Sequence, residues 1–148
     1  MTHPKVHSLL PALILALCST LTFADSGVLN ANTATEAQIA SLPHMDDVMA
    51  EVVINNRPYV NIGEMHGILI SDLDEDQLAE LYVQLFVPIN LNDARRSDIM
   101  LIPGITGKMA HEFEEYRPYS DMEQFRREIG KYVDADEVAR LEQYVTLD

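Results

Sequence analysis

Bases are scarce in this chain and thiols scarcer, and each shortage excludes something. Ten Lys and Arg stand against 24 Asp and Glu, a formal net charge of −14. Nucleic acids present a dense row of phosphates, so such a balance argues against broad nonspecific adhesion and leaves room only for a local site. The one cysteine, Cys18, lies in the first 24 residues. Once that segment is removed, disulfides, thiol nucleophiles and cysteine metal sites are excluded together. No apolar run after residue 24 is long enough for a membrane helix.

The first residues read as an address. His3, Lys5 and His7 precede an apolar run from Leu9 to Leu17, and Thr22-Phe23-Ala24 supplies small residues at a cleavage site. This is the pattern of a secretory signal peptide over residues 1–24, too short to span a bilayer. Acylation at Cys18 would need a small residue before it, and Leu17 is bulky, so simple cleavage is favoured. The expected mature chain starts near Asp25, in the periplasm or outside the cell, with nine bases against 24 acids, or −15.

The remainder repeats itself. Leu29-Asn30-Ala31-Asn32-Thr33-Ala34, then Leu42-Pro43, then Asn56-Arg57-Pro58-Tyr59 returns as Ile89-Asn90-Leu91-Asn92-Asp93-Ala94, Ile102-Pro103 and Tyr116-Arg117-Pro118-Tyr119, an offset of 60 residues. The same offset pairs Met49 with Met109, Asp74 with Asp134 and Leu81 with Leu141. Duplicated supersecondary units are expected to share a fold. Val87-Pro88-Ile89 is the boundary, giving units 25–87 and 88–148. Their charges differ: ten acids and one base over residues 29–88, thirteen acids and eight bases over 89–148.

Helical signals cover almost all of it. Thr33 and Glu36 suggest a capping box ahead of a helix ending before Pro43. Helices follow from Asp47 to Asn56, burying Val48, Ala50, Val52, Val53 and Ile54, then from Asn61 to Leu69 and after Asp74. The second unit predicts helices from Asp93 to Leu101, Gly107 to Tyr116, Asp121 to Ile129 and after Asp134. No strand pattern stands out, so the fold class is all-α, two tandem units packed as one compact body.

Helix, proline-bearing turn, helix, twice over, is a helix-hairpin-helix arrangement. Asn-x-Asn-x-Ala, Ile102-Pro103-Gly104-Ile105, Ala110 and Tyr116-Arg117-Pro118-Tyr119 together resemble the helix-hairpin-helix domain of ComEA-type competence DNA receptors. The resemblance covers nearly the whole mature chain. It implies an exported, non-enzymatic module that binds double-stranded DNA during uptake. The fold also resembles the small extrinsic lumenal subunit of photosystem II, a protein–protein component, so fold alone leaves function open.

The two hairpins differ where binding would occur. In the second, Gly104-Ile105-Thr106-Gly107-Lys108 opens a helix whose first amides and dipole favour a phosphate oxygen, without reading base edges. Thr106 stands where the resembled family has a second glycine. Arg95 and Arg96 on the preceding helix extend the expected basic patch. The first hairpin, His44-Met45-Asp46-Asp47-Val48, puts carboxylates at the same place, where Asp46 or Asp47 caps the helix and repels phosphate.

Other motifs weigh less. Lys108 resembles the lysine of base-excision glycosylases, but the chain is short and shows no aromatic-lined pocket for a flipped base. His111-Glu112-Phe113-Glu114-Glu115 lacks the second histidine of a zinc protease, and Asp72-x-Asp74-x-Asp76 has Gln77 where a calcium loop needs glycine. No metal or cofactor is expected. The methionines suit core packing, the Asn30/Asn32 and Asn90/Asn92 pairs suit bracing of the hairpins, and Arg57 and Arg117 suit ion pairing. Two readings stand: a binder of the DNA backbone, or an envelope protein–protein adaptor on the same fold.

Overall fold

Short helices need their ends satisfied, and this chain does so with side chains. The computed structural model describes residues 27–147; Cys18 and the segment expected to be a signal peptide lie outside them. Eight helices form there: α1 (Glu36–Ala40), α2 (Asp47–Asn55), α3 (Ile62–Leu69), α4 (Glu75–Tyr82), α5 (Arg96–Ile99), α6 (Gly107–Glu115), α7 (Met122–Ile129) and α8 (Ala135–Glu142). Thr35, Asp46, Asn61, Asp74, Thr106, Asp121 and Asp134 each accept a hydrogen bond from the amide three residues on. Each such cap is worth about 1 kcal/mol, a large share for helices of two turns. Arg95, the cap residue of α5, makes no such bond, and α5 is the shortest helix described.

The body is mainly α rather than all-α. β1 (Leu29–Asn30) pairs in parallel with β2 (Leu85–Phe86), and β3 (Ile89–Asn90) pairs in parallel with β4 (Val145–Thr146). Two-residue strands carry no alternation that a sequence can display, and their partners lie a whole unit away. Each pair ties the entry of one half to its own exit. The registers Leu29↔Leu85 and Ile89↔Val145 keep the 60-residue offset.

Several local expectations shift. The capping box forms between Thr35 and Gln38, not Thr33 and Glu36. Asn30 explains this: its carbonyl and side chain accept from Ala34 and Asn32, which folds the segment into a turn before α1 starts. α5 is likewise shorter than the predicted 93–101, because the Asn90 turn repeats the same bonds to Asn92 and Ala94. On α2 only Ala50 and Val53 are buried, while Val48 is 69% exposed and Val52 38%. Both are apolar, yet neither faces the core.

The bracing role of the asparagines holds. Asn32 exchanges two bonds with the Tyr59 backbone, at 2.8 and 2.9 Å, and Asn92 does the same with Tyr119. Both Arg-Pro bonds before these tyrosines are cis. Among the described residues Arg57 and Arg117 form no ion pair; they donate to the Ala34 and Ala94 carbonyls at 2.7 and 2.8 Å. A guanidinium thereby satisfies backbone acceptors that the turn leaves without partners.

One apolar cluster runs through both halves. Tyr82, Phe86 and Tyr144 meet edge to face, with ring centroids 5.9 and 5.0 Å apart, so α4, β2 and the end of the second half share a core. Val28 also donates to Gln143 across the halves. A second contact joins α3 to α5. There Asp98, 3% exposed, is gripped by Arg95 at 3.0 and 3.2 Å, and Arg95 reaches Asn61 at 3.1 Å. Gly63 sits under them: a Cβ would lie 2.9 Å from Asp98 Oδ1 and 3.0 Å from Arg95 Nη2. Gly63→Ala crowds the buried Asp98, at about 1–3 kcal/mol against the ~1 kcal/mol that alanine gains as a helix former, and a small net loss of stability is expected. A urea midpoint that falls at unchanged slope checks this; a midpoint that rises contradicts it.

Candidate nucleic-acid interface

The turn between α5 and α6 is built to present the start of a helix. Ile102 is buried, and Ile105, packed against the core, returns its amide to the Ile102 carbonyl at 3.1 Å. Between them Gly104 takes φ +73°, a left-handed conformation that side chains resist. Thr106 then caps α6, its hydroxyl accepting from Met109 at 3.1 Å. Gly107 and Lys108 form the first turn of α6, which carries no acid. Helix starts leave such first-turn amides without intrahelical partners and carry a partial positive charge. Gly104, Thr106, Gly107 and Lys108 are all exposed.

Two arginines grip this turn from either side. Arg96 donates to the Gly107 carbonyl at 2.8 Å and pairs with Glu114 at 2.5 Å. Arg140, on α8, donates to the Pro103 carbonyl at 2.8 Å and pairs with Glu137 through Nε and Nη2. Hydrogen bonding to Arg140 holds the Glu137 carboxyl below its ordinary range, and the same bond holds the arginine above its own. The pair is thus fully charged at neutral pH. Lys108 is in no ion pair among the described residues; its ammonium lies 5.8 Å from the Tyr132 ring centroid.

The sequence-derived patch is therefore regrouped. Gly104, Ile105, Thr106, Gly107, Lys108 and Arg96 come together. Arg95 does not join them, because its bonds go to Asp98 and Asn61 at the contact between halves. It stands between two open clefts of about 540 and 560 Å³ that share Asn61, Arg95 and Asp98. Arg140 was missed, although the repeat offset could have found it: Glu80 lies 60 residues earlier, in the first half.

That comparison decides the character of each hairpin. Where the second half has Arg96, Lys108 and Arg140, the first has Glu36, Val48 and Glu80. His44 adopts φ +63° in place of Gly104, and its Nε2 lies 2.6 Å from Glu80 Oε2. Asp46 caps α2 through the Met49 amide at 2.8 Å, with Asp47 in the first turn. The backbone shape is kept while its electrostatics are reversed. A carboxylate already occupies the place an incoming anion would need.

Elsewhere, no group of three His, Cys, Asp or Glu side chains among the described residues is placed to hold a metal ion. Asp74 serves as the cap of α4. No described helix is long and apolar enough to cross a membrane. No family model matches the chain, and no curated protein or solved structure matches it either.

Proposed function

We propose that the chain is a pair of helix-hairpin-helix repeats of the ComEA type, exported from the cell, and that the second repeat binds the phosphate backbone of double-stranded DNA without reading sequence. It is a binding module rather than an enzyme. The observation that carries this is the second hairpin: a Gly104-led turn opens on acid-free first-turn amides, with Lys108 on that turn and Arg96 and Arg140 gripping its backbone. Phosphate oxygens suit such donors, and nothing in the turn reaches for a base edge. One hairpin on an acidic body makes a weak site, sensitive to salt. The expected logarithmic dependence of affinity on salt has a slope of about −1 to −3, as for one to three neutralised phosphates. Fluorescence anisotropy of a labelled duplex from low to physiological salt tests it, and absence of binding at the lowest salt contradicts it.

A second reading rests on a different observation. Val48 and Val52, one turn apart on α2, are exposed beside Asp47 and Glu51. That face suits an envelope protein partner rather than DNA, and failure of the duplex test would turn the search for a partner to envelope proteins.

A further inference from the structure

Beside the second hairpin lies a group of rings and cations that backbone binding does not require. The hydroxyls of Tyr116 and Tyr132 are 2.8 Å apart and their ring centroids 6.4 Å apart. Lys131 Nζ lies 4.9 Å from the Tyr116 centroid, and Lys108 Nζ 5.8 Å from that of Tyr132. Glu112 is buried on α6, one turn from both Lys108 and Tyr116, and its Oε2 has no hydrogen-bond partner among the described residues. The Tyr116 hydroxyl, and after it the neighbouring Glu112 side chain, raises the Tyr132 pKa, and the phenol stays neutral at physiological pH. Lys131 is also paired with Glu128.

Core packing does not account for Tyr132. Tyr119 and Tyr144 are 3% and 1% exposed, whereas Tyr132 keeps 40% of its surface in solvent. The first half again serves as the internal control. At the positions of Lys108, Glu112, Tyr116, Lys131 and Tyr132 it has Val48, Val52, Asn56, Ser71 and Asp72. The shared framework folds without a single member of this group. What the group adds is a half-exposed Tyr132 ring with the Lys108 ammonium over it, continuous through Lys108 with the hairpin, and the Lys131 ammonium over the adjoining Tyr116 ring. Such a ring takes a base on its face whatever the base is, while the cations meet the phosphates beside it.

We propose that Tyr132, with Lys108 and Lys131, is a stacking platform for an unpaired nucleobase, so that the protein prefers duplex ends carrying a single-stranded overhang over blunt ones. This rests on the phosphate-binding reading of the second hairpin. The test compares a blunt duplex with the same duplex bearing a short overhang whose first base is 2-aminopurine, at low salt. Binding to the overhang is expected to be roughly tenfold tighter and to quench the 2-aminopurine, as stacking on an aromatic side chain does. Tyr132→Ala should remove the preference and the quenching while leaving blunt-duplex affinity unchanged. Tyr132→Phe, which keeps the ring and loses the hydroxyl bond to Tyr116, should retain both; circular dichroism checks that each variant is folded. Equal affinity of the wild-type protein for the two duplexes overturns the platform and leaves the hairpin site standing, as does an equal loss on both from Tyr132→Ala. Failure to bind either duplex overturns the phosphate reading itself, and the platform with it.

Discussion

Lys108→Glu is expected to abolish measurable duplex binding at moderate salt, with a loss of at least about tenfold at low salt. The substitution changes the local charge by two at the first turn of α6, where the dipole and amides otherwise favour an anion. It also recreates in the second hairpin the acidic helix start of the first, where Asp47 stands one position before Val48. Glutamate at a helix start is favourable to the helix, so the fold should be unharmed. Loss of binding would therefore report the site and not unfolding. Arg96 and Arg140 are weaker probes, because each also holds a hairpin carbonyl, and their removal mixes charge with structure. Anisotropy with a labelled duplex measures the effect; an affinity unchanged by Lys108→Glu would remove the second hairpin from the account.

The second large effect concerns whether the halves are one body. Phe86 is fully buried, with its ring edge-on to Tyr82 of its own half and Tyr144 of the other. Truncating it to alanine should cost about 3–5 kcal/mol, from lost burial and from a cavity that two neighbouring rings cannot close. That is a substantial part of the ~5–15 kcal/mol that stabilises an ordinary domain. Because the cavity lies where the halves meet, both halves should lose stability together. Urea unfolding followed by circular dichroism and by tyrosine fluorescence should show one coincident transition in the wild-type protein, shifted down in Phe86→Ala. Two separated transitions, with only one of them shifted, would show that the halves fold independently.

Much of the fold could be read from the chain because its determinants are local. Asp46, Asn61, Asp74, Asp121 and Asp134 announce helix starts within three residues of the amides they cap. Pro43 and Pro103 mark the hairpins in the same way. Thr35 was harder, since Thr33 offers the same chemistry and only the Asn30 turn chooses between them. The parallel strand pairs were hidden by distance: Leu29 gives no sign that Leu85 is its partner.

The candidate site divides similarly. Gly104 through Lys108 form one contiguous turn, and a glycine where the chain must turn left-handed is a local signal. Arg95 and Arg96 are neighbours in sequence yet serve different places, because one is a cap and the other the first helical residue. Arg140 and Tyr132 reach the hairpin only through tertiary packing. Both stand out once the halves are superposed by their offset, where Arg140 meets Glu80 and Tyr132 meets Asp72. Val48 and Val52 show the opposite error, with apolar character taken for burial when exposure was the fact.

The most direct measurement is a titration of the isotopically labelled protein with a short blunt duplex, followed by backbone amide chemical shifts. Changes are expected to concentrate at Gly104–Met109 and to fall away with added salt, with none at His44–Met49, whose turn has the same backbone shape. Shifts at the first hairpin instead, or at neither, would contradict it.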